Sequence, residues 1–169
     1  MVLGLIVNGD HCVSRGVNMS RWLILIIVFI TGCAEQEIDK EENPPLVLIE
    51  IGSENFETKT GSYCWGDSNS STCVDKAGPV ELLEEKEPIK VKPGEKISFI
   101  MDYEPKPNGV GVTQIDNNKE ISVKVKNNHI AAPTKKGVYY YSYDVQWMDE
   151  KETNISHGDV TYAFVIEVD

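Results

Sequence analysis

The stretch GVYYYSYDVQW, residues 137–147, limits what this chain can fold into more than any other. In an extended chain successive side chains point to opposite faces, so Tyr139, Tyr141, Tyr143, Val145 and Trp147 share one face, while Tyr140, Ser142, Asp144 and Gln146 share the other. That is the signature of a half-buried strand. Residues 160–168 repeat it, with Val160, Tyr162, Phe164, Ile166 and Val168 on one face and Thr161, Ala163, Val165 and Glu167 opposite. These two strands are expected to pair as a hairpin. Shorter strands read at 47–51, 89–91, 97–103 with Phe99 and Met101 inward, 110–115 and 121–125. Turn chemistry separates them at Pro93-Gly94, residues 105–109, Asn117-Asn118, Asn127-Asn128 and Lys136-Gly137. Only residues 79–86 read as helix, with Pro79 at the first helical position. About seven short strands with regular turns in one domain, residues 46–169, predict an all-β antiparallel β-sandwich, with a barrel as the alternative.

The other end of the chain carries an address. Residues 22–30, WLILIIVFI, form an apolar run of nine. A hydrocarbon core takes about 20 helical residues to cross, so this run is no transmembrane helix. Arg21, the run and Thr31-Gly32 supply in order the basic, apolar and small-residue parts of an export signal. Met19 is the better start, since Met19-Ser20-Arg21 puts the charge directly against the run. Residues 1–18 then read as translated leader, the alternative being an extended n-region containing the apolar residues 2–7. Next, Ile30-Thr31-Gly32-Cys33 resembles the lipobox of bacterial lipoproteins, with Ile30 where Leu is usual. The resemblance implies a diacylglyceryl thioether on Cys33 and cleavage after Gly32, which makes residues 19–32 a lipoprotein signal peptide. The competing reading is a buried amphipathic segment with an incidental thiol.

Residues 33–45 follow as the lipidated cysteine and a tether. The stretch AEQEIDKEENPP is acidic, ends in two prolines and has almost nothing apolar to bury, so it is expected to stay extended, with a reach of about 35 Å. The whole chain has a formal net charge of −11, and loss of Arg15, Arg21 and Asp10 with residues 1–32 makes the product more acidic still. Such charge argues against nucleic acid and against electrostatic adhesion to anionic lipid. The expected membrane contact is therefore the N-terminal lipid, whose two acyl chains hold a protein stably on the extracytoplasmic face.

Gly137-Val138-Tyr139-Tyr140-Tyr141 resembles the tyrosine corner of immunoglobulin-like domains, where G-x-Y precedes an alternating strand. The resemblance makes Tyr139 the structural corner and places Tyr141 where antibody domains carry a core cysteine, so the inter-sheet disulfide is missing. The stretches IAAPTKKGVYYYSYDVQW and GDVTYAFVIEV also resemble the last strands of small bacterial lipoproteins with immunoglobulin-like domains. This covers about the final third of the domain and implies no activity.

Besides Cys33, the exported chain has two cysteines, Cys64 and Cys73. Outside the membrane they are expected to oxidise together, which is worth about 2.5 to 3 kcal/mol for so short a loop and pins the loop rather than the whole core. The C-x8-C spacing lacks the closeness of a redox pair. Asp67, Asn69, Ser71 and Asp75 match positions 1, 3, 5 and 9 of an EF-hand loop, but Thr72 stands where the turn needs Gly and Gly78 where a bidentate Glu closes the site. The segment reads as a polar disulfide loop, with a weak cation site as the alternative. Neither His129 nor His157 has metal-ligand spacing, and no G-x-S-x-G elbow or Cys/His pair is present. No metal or other cofactor is expected. The leading expectation is a non-catalytic binding module on the membrane's outer face, its partner a cell-envelope protein or small ligand. The competing class, an envelope enzyme or metal-dependent accessory lipoprotein, predicts a deep polar pocket with convergent ionisable groups.

Overall fold

The period-two segments are strands in a computed structural model of the chain, which describes residues 43–66, 70–116, 119–149, 151 and 155–169. The leader, the signal segment, Cys33 and the tether up to residue 42 lie outside the described residues, as do Asp67, Asn69 and the Asn117-Asn118 turn. Among the described residues the chain runs through β1 (Val47–Ile51), β2 (Glu54–Glu57), β3 (Lys59–Gly66), β4 (Ser71–Val74) and a short helix α1 (Pro79–Leu82). It continues through β5 (Ile89–Val91), β6 (Lys96–Met101), β7 (Gly109–Asp116), β8 (Lys119–Ser122), β9 (His129–Ala131), β10 (Gly137–Met148) and β11 (Ser156–Val168).

Two sheets form, one ordered β2-β1-β6-β9 and the other β4-β3-β11-β10-β7-β8, with β5 also on β11. The pairing of β10 with β11 is the long antiparallel hairpin the alternation called for, with Tyr141 opposite Phe164 and Tyr143 opposite Tyr162. One pairing departs from the antiparallel expectation: β5 runs parallel to β11. The cause is length. β3 pairs with β11 only from Gly158 to Ala163, so the backbone at Ile166–Val168 needs another partner, and β5 provides it.

The two sheets pack face to face, consistent with a β-sandwich. Val47, Ile49, Ile97 and Phe99 of the small sheet share one buried cluster with Trp65, Tyr141, Tyr143, Tyr162 and Phe164 of the large one. Aromatic rings meet across the interface, where Phe99 stacks on Tyr143 at 3.9 Å and meets Phe164 edge-on at 6.1 Å, while within the large sheet Tyr141 stacks on Phe164 at 4.8 Å. Trp65, Tyr103 and Trp147 meet edge to face, and the Trp147 indole donates to the Pro105 carbonyl at 2.6 Å. The buried phenols find partners, as buried polar groups must. Tyr141 donates to Gln114 at 3.0 Å, and Tyr162 donates to the backbone carbonyl of Pro45. Pro45 is itself buried, so the domain's contacts begin just ahead of β1.

The alternation alone does not describe the outer face of the hairpin. The reverse face of β10 and β11 is not uniformly wet, because Leu83 at the end of α1 covers Ala163 and Val165, with Leu82 and Tyr140 alongside. Further up the same face, Ser142 is 8% exposed and donates to Asp144 at 2.9 Å, and Thr161 donates to the same carboxylate at 2.7 Å. On either side of the segment read as a polar disulfide loop, Cys64 stands directly opposite Cys73 in the β3–β4 register. Their sulfurs are 2.00 Å apart, at disulfide distance. Asn127 and Asn128 sit at a tight turn, both at positive φ (45° and 61°), which Asn tolerates better than most residues.

Candidate functional site

Where β10 begins, the chain turns at Lys135-Lys136-Gly137. Gly137 has φ +155°, a conformation that a side chain would strain, so the turn depends on glycine. Two residues on, Tyr139 is buried and its hydroxyl donates to the Lys135 carbonyl at 2.9 Å. The ring thus sits in the core while its polar end ties down the turn that precedes the strand. Further bonds fix the approach to this turn: Ala132 N–H donates to Glu95 at 2.8 Å, and Gly94 N–H to Pro133 at 3.3 Å. Replacing Tyr139 with Phe keeps the ring and removes one bond, so a loss of about 1–2 kcal/mol in urea unfolding is expected. Ser142→Ala is expected to cost about 0.5–1.5 kcal/mol because it removes a donor from the half-buried Asp144. A smaller effect for Tyr139→Phe than for Ser142→Ala would contradict this account of the corner.

Beside the turn lies a cleft of about 430 Å³, bounded by Val80 on α1, by Ile115 and Asp116 at the end of β7, and by the start of β10. Its walls combine Val138 and Tyr140 with Lys135 and Lys136. The register explains the grouping: Ile115 pairs with Tyr140, so both project from the outer face of the large sheet, next to α1. Val80 and Val138 are each 41% exposed, and both lysines are exposed. Aliphatic and aromatic surface with two ammonium groups and a carboxylate can hold and orient a ligand that has an apolar part and a charge.

The other residues singled out by sequence are scattered. Cys64 and Cys73 are on the β3–β4 hairpin. Asp75 accepts a hydrogen bond from Ser62 at 3.1 Å, Ser71 opens β4, and Asp67 and Asn69 lie outside the described residues. His129 opens β9 and contacts the Asn127 carbonyl at 3.3 Å, while His157 meets Asp149 at 3.1 Å across the end of the β10–β11 hairpin. Among the described residues, no group of three or more His, Cys, Asp or Glu side chains is arranged to hold a metal ion, and no helix is long and apolar enough to cross a membrane. Sequence reasoning identified Tyr139 but missed the cleft next to it. The available signal was Val138, an apolar residue on the outward face of the strand, next to a lysine pair in an acidic chain. No protein-family model, curated protein or solved structure matches the chain.

Proposed function

We propose that this chain is an extracytoplasmic lipoprotein, held on the membrane by a lipid at Cys33, whose immunoglobulin-like domain is a non-catalytic binding module. The observation that carries the binding reading is the cleft at the Lys135–Tyr140 corner, ligand-sized and open, lined by apolar side chains together with two lysines and an aspartate. The immunoglobulin-like assignment draws support from the corner itself, a glycine at positive φ followed by a buried tyrosine whose hydroxyl returns to the backbone four residues upstream. The chain reaches the domain at Pro45, against Tyr162, whereas the cleft lies where β11 ends at Val168, six residues along the strand or about 20 Å away.

Cys33→Ala is expected to abolish processing or release the protein from the membrane fraction, since two acyl chains supply the stable anchor. Fractionation and intact-mass analysis of the expressed full chain check this, and normal processing with membrane retention would overturn the lipoprotein reading. The binding reading is tested by affinity capture from the native envelope with the wild-type chain and a Val138→Asp variant. Recovery of a component that saturates on the wild type and not on the variant is the expected result.

A further inference from the structure

We infer that the cleft between α1 and β7 takes a small amphiphilic monocarboxylate, its apolar body against Val80, Val138 and Tyr140 and its carboxylate at Lys135 and Lys136. The inference rests on the binding-module reading and supplies its ligand class. The cleft's 430 Å³ falls in the range of small-molecule sites, about 300–1,000 Å³. Its apolar wall is assembled from a helix and two strands, so Val80 and Val138 leave adjoining hydrophobic surface in water that a ligand's body would cover.

The charged lining residues define the head group. Lys135 and Lys136 form no ion pair among the described residues, so both ammonium groups are available to an anion. Asp116 lines the same cleft, which leaves a formal charge of one positive, matched by a monoanion better than by a phosphate or a dicarboxylate. Position is fixed in advance. The bond from Tyr139 to the Lys135 carbonyl holds the backbone that carries both lysines, so less ordering is required when an anion arrives. Charge-assisted contacts to a carboxylate are the stronger kind of hydrogen bond, whereas an alcohol of the same shape would gain only the apolar contacts.

The test uses the full-length lipidated protein in phosphatidylcholine nanodiscs, titrated with phenylpropionate, with phenylpropanol as the uncharged counterpart and empty nanodiscs as the blank. Saturable binding is expected, tighter for the acid than for the alcohol by about tenfold or more, and weakened by about tenfold in the Lys135→Gln/Lys136→Gln double variant. Val138→Asp should also abolish it. Both sets of substitutions are at exposed positions, so each variant should unfold at the wild-type temperature, which is to be verified alongside. Absence of saturable binding, equal affinity for acid and alcohol, or undiminished affinity in the double variant would each overturn the inference. If capture from the envelope still returns a saturable component sensitive to Val138→Asp, the ligand class is wrong and the binding module stands. If both experiments fail, the module reading falls with it.

Discussion

Phe164→Ala is expected to lower the unfolding free energy by about 3–5 kcal/mol, the loss typical of deleting a large buried ring. Phe164 is buried on β11, where its ring stacks on Tyr141 at 4.8 Å and meets Phe99 of the opposite sheet edge-on at 6.1 Å. Phe99 in turn stacks on Tyr143. The ring therefore links neighbours within the large sheet to the small one, and none of these rigid partners can collapse into the space it leaves. Val165→Ala, one residue along, removes far less volume from the shallow cluster beneath Leu83, and about 1 kcal/mol is expected. Urea unfolding of both variants gives the comparison. Similar losses would mean that the principal core is not on the Phe164 face.

That face was legible because the side chains on it are large and the period is two. Tyr139, Tyr141, Tyr143, Val145 and Trp147 are all buried, as are Val160, Tyr162, Phe164, Ile166 and Val168, and this single pattern established the central hairpin. The same logic missed β3, where only Tyr63 and Trp65 carry an apolar signal on the face they share with Gly61, too short a run to read as a strand. A glycine gives no hydrophobic signal. Gly61 is nonetheless closely approached, since an added Cβ would lie 3.2 Å from the Thr161 carbonyl oxygen on the neighbouring strand, which would have to give by a few tenths of an ångström. The burial of Ala163, Val165 and Ser142 was hidden for another reason. It depends on where α1 docks and on local polar pairing, and neither is encoded in the strand's own period. The corner at Tyr139 was legible from a local motif; the cleft beside it was not, because its walls come from residues 80, 115 and 138, which only the tertiary fold unites.

Above about pH 10 the domain is expected to lose stability steeply, and the buried tyrosines of the inter-sheet core are the cause. Burial pushes the Tyr143 phenol up to about 12. Tyr141 and Tyr162 are raised as well, first by burial and then by the neighbouring phenols of Tyr139 and Tyr143 respectively. In the unfolded chain each phenol ionises near its ordinary value of about 10. Between about pH 10 and 12 the unfolded state thus gives up protons that the folded state retains. Folding then binds protons, and the free energy of unfolding falls as pH rises. The contribution is fully present below about pH 10 and is lost across that window. For Tyr143 alone, a shift of about two pH units corresponds to about 3 kcal/mol, and the other two phenols add to it. Urea unfolding at about pH 8 and about pH 11.5, followed alongside phenolate absorbance, measures the loss and shows whether ionisation accompanies unfolding. Tyr143→Phe provides the control. It removes one titrating group while keeping the ring stacked on Phe99, so its stability should fall less between the two pH values than that of the wild type. An equal fall in both proteins, or phenolate absorbance appearing fully before the fold is lost, would show that these hydroxyls reach solvent and that the tyrosine layer is not the dry seam between the sheets.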